Sequence, residues 1–214
     1  MLIIAQHIAR TVLKAEALSS AGEVKMVYWN RIGDVQAVEL DLADAPYPDL
    51  QRAHAYWSMK RQERFAPLKK AMDPIDLVEV LPRIMLVDVE PDPLDFRYRL
   101  AGTGICDTHH TEPTGTRPRD LEPRSYGTLI HQHYCQAFES RTPILHLIVL
   151  DTFDRSRAYV RLLLPLSDDG LRVTGLMTID AKEQNTQALR DYFEKVKTHS
   201  RPMSARLSSA GENH

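Results

Sequence analysis

Two cysteines, Cys106 and Cys135, are all the thiols in this 214-residue chain, and they form no C-x-x-C pair. That excludes a disulfide framework and points to a reducing cytoplasm. Charge imbalance is missing as well: 27 Lys plus Arg against 29 Asp plus Glu leave a formal charge of −2, with no broad pull toward nucleic acid or anionic lipid. No window approaches the roughly 18 uninterrupted apolar residues that a membrane-spanning helix needs. The opening MLIIAQHIAR places no basic segment ahead of its short apolar run, so it does not read as a secretory signal. Gly102-Thr103-Gly104 lacks the third glycine of a dinucleotide fingerprint, position 107 being Asp107, and no strand–helix–strand unit follows.

What is present is an ordinary globular composition, 43% hydrophobic and 26% charged, at a length that suits one domain with extensions. The organising stretch is 82–104. Its apolar-rich runs 84–89 and 96–100 flank Pro91-Asp92-Pro93, which continues neither strand nor helix, so the stretch predicts a β-hairpin. Phe96, Tyr98 and Leu100 alternate with Arg97, Arg99 and Ala101, committing one face to burial.

Around this hairpin the chain divides into four parts: 1–48, an extension; 49–180, a domain; 181–199, a C-terminal helix; and 200–214, a disordered tail. In the extension, apolar residues at helical spacing predict a helix over 2–18, which either covers an edge of the domain or pairs with its copy in a homodimer. Residues 24–42 predict strand–turn–strand. Asp49 is the expected N-cap of a helix through Tyr56 and Trp57 toward Phe65, and Ser125 that of a helix over 125–140. Runs 144–150, 158–166 and 171–179 predict three antiparallel strands, the last two joined through Ser167-Asp168-Asp169-Gly170. Asp180 with Glu183 forms a candidate capping box for the final helix. The class is α+β: a five-stranded antiparallel sheet with helices on one face, plus an N-terminal helical extension.

This order, together with Tyr56-Trp57, Asp73-Pro74-x-Asp76, Leu81-Pro82, FRYRLAGT from Phe96, Thr114-Gly115 and LLLPLSDDG from Leu162, resembles the PAS domain over about 50–180. More specifically, it resembles a bacterial PAS-like family common in alphaproteobacteria and often met as stand-alone chains. That family usually has a Gly-rich link after its first helix, whereas RQERFAPLKKAMDP has no glycine. The resemblance implies a cytoplasmic sensory or regulatory module, not an enzyme. Its concave sheet and long helix would hold a small ligand of unknown identity, and its signal would pass to a protein partner, with homodimerisation. The residues beyond 180 are too few for an output domain.

Parity on the predicted elements sketches the pocket. Tyr98, Ile130, His133, Tyr134, His146, Tyr159, Arg161 and Met177 would line it, or would fill a core of normal density. Histidine and cysteine cluster at Cys106, His109, His110, His131, His133, Cys135 and His146, with His131 and Cys135 one helical turn apart, a weak zinc signal. The resemblance adds a sharper alternative, a haem sensor using His131 or His133 as iron ligand, against His133 as a hydrogen-bonded pocket wall. No cysteine or aspartate pattern establishes a nucleophile with its base.

Overall fold

A computed structural model describes residues 28–32, 34–43, 45–109, 112–151, 156–182, 185–197 and 201–202. The helix expected over 2–18 and the start of the strand expected from 24 lie outside them. The strands are β1 (Tyr28–Ile32), β2 (Val35–Leu40), β3 (Ile84–Pro91), β4 (Leu94–Ala101), β5 (Ile144–Asp151), β6 (Ser156–Leu166), β7 (Gly175–Asp180) and β8 (Arg201–Pro202). The helices are α1 (Pro48–Arg61), α2 (Thr103–His109), α3 (Arg124–Ser140) and α4 (Thr186–Lys197), with short 3-10 turns between α1 and β3 and ahead of α3.

Among the described residues these strands form one sheet of eight, ordered β4-β3-β7-β6-β5-β2-β1-β8. The α+β class holds, but the expected five strands are only the β4-to-β5 part. The hairpin β1–β2 adds to the β5 edge in antiparallel register, Glu39 opposite His146 and Val35 opposite Leu150. Arg201–Pro202, within the stretch expected to be disordered, then pairs parallel with Tyr28 and Trp29.

Helices cover both faces rather than one. On β5 and β6 nearly every residue is buried whichever way it points, a pattern that half-buried antiparallel strands do not show. One face carries Leu145, Leu147, Val160, Leu162, Leu164, Met177 and Ile179 against Leu50 and Trp57 of α1 and Leu189 and Phe193 of α4. The other carries Phe96, Tyr98, Ile148, Tyr159 and Leu163 against Tyr126, Leu129, Ile130, Tyr134 and Ala137 of α3. We call these the outer and the inner face.

The caps differ from those the sequence predicts. Helix α1 starts at Pro48 after Tyr47, and Asp49 instead pairs with Arg83 at 2.8 Å. Pro123 precedes α3, displacing Ser125 as cap. Helix α4 is capped by Asn185, whose Oδ1 accepts from the Ala188 N–H at 3.0 Å. The start of α3 sits tightly on the turn Pro118–Asp120: a Cβ on Gly127 would lie 2.5 Å from the Pro118 carbonyl oxygen, so only glycine fits.

Candidate functional site

The inner face owes its character to one row of side chains. Register places Asp180 of β7 opposite Arg161 of β6, Arg161 opposite His146 of β5, and His146 opposite Glu39 of β2. Four polar residues thus stand side by side across four strands beneath α3, in a layer made largely of aromatic and aliphatic groups. Arg161 donates Nε to Asp180 Oδ1 at 2.6 Å and Nη2 to Oδ2 at 3.0 Å. This forked geometry is the strongest form of charge-assisted pair. Burial opposes the guanidinium charge, but Asp180 and the rings of Tyr159 and Tyr126 outweigh it and hold the pKa well above the usual arginine range.

Helix α3 adds His133, whose ring stacks on His146 at 3.7 Å with the planes 6° apart. Burial, then the neighbouring His146 and Arg161, depresses the His133 pKa well below the usual histidine range, so this ring is neutral at pH 7. One turn further on, Gln136 donates Nε2 to Glu39 Oε2 at 2.7 Å, tying the helix to the added hairpin. Around the row, the Tyr126 and Tyr159 hydroxyls meet at 2.7 Å and Arg161 lies 5.0 Å over the Tyr159 ring. Tyr134 meets Phe96 and Tyr98 edge-on, and burial pushes its hydroxyl up to about 12.

Seven of the eight residues expected to line the pocket therefore come together under α3: Tyr98, Ile130, His133, Tyr134, His146, Tyr159 and Arg161. Met177 does not. Its partner in the ladder is Leu164, and both point into the outer core, because the register of β7 on β6 places Thr178 and Asp180 on the inner face instead. The sequence pattern does not assign Asp180, Glu39, Gln136 or Tyr126 to this cluster. Asp180 ends a strand and resembles a helix cap in sequence; only the register reveals its partner.

The histidine and cysteine cluster disperses. His131 and Cys135 do meet, Nδ1 to Sγ at 3.5 Å, at the rim of α3. Arg119 donates Nη2 to His131 Nε2 at 2.9 Å, which assigns the ring proton to Nδ1. Both ring nitrogens are thus engaged, which does not fit an iron ligand. Among the described residues no three His, Cys, Asp or Glu side chains form a group that could hold a metal ion. Burial and then Glu139 push the Cys135 thiol up to about 11, opposite to what a nucleophile paired with His131 needs. Cys106 lies elsewhere, its Sγ donating to Glu112 at 3.3 Å. The side chains of His109 and His110 lie outside the described residues.

An antiparallel core ordered β4-β3-β7-β6-β5, with the inner face roofed by one long helix, is the arrangement the sequence resemblance implied. The sequence profile of the PAS domain matches residues 47–178. The chain belongs to the PAS domain family. Solved structures similar to this PAS protein include the PAS domain of BvgS from Bordetella pertussis, at 15% identity over 56% of this chain and 93% of that one, with a TM-score of 0.42. An RNA-binding light-oxygen-voltage receptor is similar at 17% identity over 69% of this chain, which spans 40% of that one, TM-score 0.44. The dark-state LOV domain of the blue-light photoreceptor aureochrome1 is similar at 12% identity over 57% of this chain and 89% of that one, TM-score 0.42. No curated protein matches significantly. Among the described residues no helix is long and apolar enough to cross a membrane.

Proposed function

We propose that this PAS protein is a cytoplasmic bacterial sensor, without catalysis of its own, that binds a small ligand between α3 and the inner face and signals through a homodimer to a protein partner. One observation carries the reading. His133 and Arg161 are buried to 1% exposure, yet neither His133 ring nitrogen and not the Arg161 Nη1 has a hydrogen-bond partner. Each such group left unanswered costs about 1–3 kcal/mol, and two adjacent residues in this state fit a place that a ligand completes. A ligand that binds two positions of α3 with different affinity would shift the balance between them. The Gln136–Glu39 bond would pass that shift to the β1–β2 hairpin, outside the family match.

Native mass spectrometry of the full chain as purified tests this. The expected spectrum shows a doubled mass and a retained small molecule that is lost from an Arg161→Met/Asp180→Leu variant. A bare monomer that responds to no added metabolite extract defeats the reading. The second reading, a haem or metal sensor, has the unengaged His133 nitrogens in its favour. A Soret band in freshly purified protein that disappears in His133→Phe would establish it, and a spectrum without that band removes haem.

A further inference from the structure

The chemistry that the inner-face row leaves unanswered is selective. Arg161 has spent Nε and Nη2 on Asp180, and its Nη1 offers only N–H groups. A neutral His133 offers one N–H and one lone pair, both at the ring edge, since one face of its ring is covered by His146 at 3.7 Å. A partner for both must therefore present a hydrogen-bond acceptor to Arg161 and approach the His133 edge with a group of either polarity.

Charge narrows the choice further. Asp180 already balances Arg161 in a site with almost no access to water. Beside the row, this face carries Tyr98 of β4, Tyr126 and Tyr134 of α3, Tyr159 of β6 and the Thr178 hydroxyl of β7. No lysine is among them, and the other arginine that alternation puts on this face, Arg157, stands four residues along β6 from Arg161, opposite Leu150. An arriving carboxylate would be a second anion set against one buried cation, and the proton that would neutralise it is not held by His133, which burial keeps uncharged. A carbonyl accepts from Nη1 without adding charge.

Building on the ligand-binding reading above, we propose that the site selects a small neutral molecule bearing a carbonyl beside an N–H, of the amide or lactam type. Its carbonyl accepts from Arg161 Nη1, and its N–H donates to the edge of His133. Carboxylates of the same shape are rejected.

The test compares acetamide and benzamide with acetate and benzoate at fixed ionic strength on the full-length protein, following the histidine side-chain nitrogen resonances and the melting temperature. The amides should give saturable shifts at His133 and raise the melting temperature, with the matching carboxylates at least tenfold weaker. His133→Phe should lose the amide response, and His133→Gln, which keeps a donor and an acceptor, should retain part of it even if the phenylalanine variant does not fold. Carboxylates binding as well as or better than amides would overturn the neutral class while leaving a ligand site in place. If neither series binds, the proposal falls. The broader ligand reading then survives only if the purified chain retains a small molecule, and without one the open atoms are met by water alone.

Discussion

On the outer face, Trp57, Leu189 and Phe193 close over Val160, Leu162 and Leu164, and the indole N–H donates to the Pro165 carbonyl at 2.7 Å. On the inner face, a few ångströms away through the same strands, a buried guanidinium keeps one nitrogen idle and a buried imidazole keeps two. Alternate residues of β6 serve both layers: Leu162 and Leu164 outward, Arg161 and Leu163 inward. The contrast separates two duties. The outer layer follows the ordinary rules of a folded core; the inner layer departs from them at the row where the ligand site is proposed.

The sharpest way to break this contrast is at Asp180. Replacing it with alanine strands the Arg161 charge, and urea denaturation should show a loss of about 3–5 kcal/mol. Exchanging both partners, Arg161→Met with Asp180→Leu, should restore most of that loss or exceed native stability while abolishing ligand binding. A double variant as unstable as the single one would make the pair a structural element rather than a recognition element. Next in size is Leu162→Ala in the outer layer, expected to cost about 2–5 kcal/mol through the cavity it leaves. Binding at the inner face should persist in that variant, and its loss would mean the two layers are not separable.

Trp57→Phe keeps the outer packing but orphans the Pro165 carbonyl, for an expected loss of about 1–3 kcal/mol in the same measurement. The smallest effect is one of pH. Above the ordinary histidine pKa of about 6.5 both the folded and unfolded forms of His133 are neutral, so it adds no slope. Below it the unfolded chain takes up a proton that the folded chain refuses, so stability falls as the medium is acidified. His133→Phe should remove its share of that slope between pH 6.5 and 5 in denaturation midpoints; an unchanged slope would place the titration elsewhere.

Much of this was legible in the chain. The 82–104 hairpin, the long helix and the three C-terminal strands follow from Pro and Gly punctuation and from runs of Val, Leu and Ile. Even the second covered face was written there, in the failure of 144–150 and 158–166 to alternate. Register was not legible. A slip of one residue turns a side chain to the opposite face, which is why the strand pattern points Met177 inward while it lies outward, and why Asp180 reads as a cap in sequence. Glu39 was hidden for a related reason: its partner strand is more than a hundred residues away, and local pattern carries no information about which edge a hairpin joins.

That joining has a practical side. Every residue of β5 from Ile144 to Leu150 is buried, and its outer border is bonded to β2 rather than left to water. Trimming the chain to the family boundary at residue 47 would strip away that guard and bare an oily strand with open amides and carbonyls. Such a fragment would be prone to stick to its own copies, so the segment ahead of the recognised domain acts as its built-in selvedge.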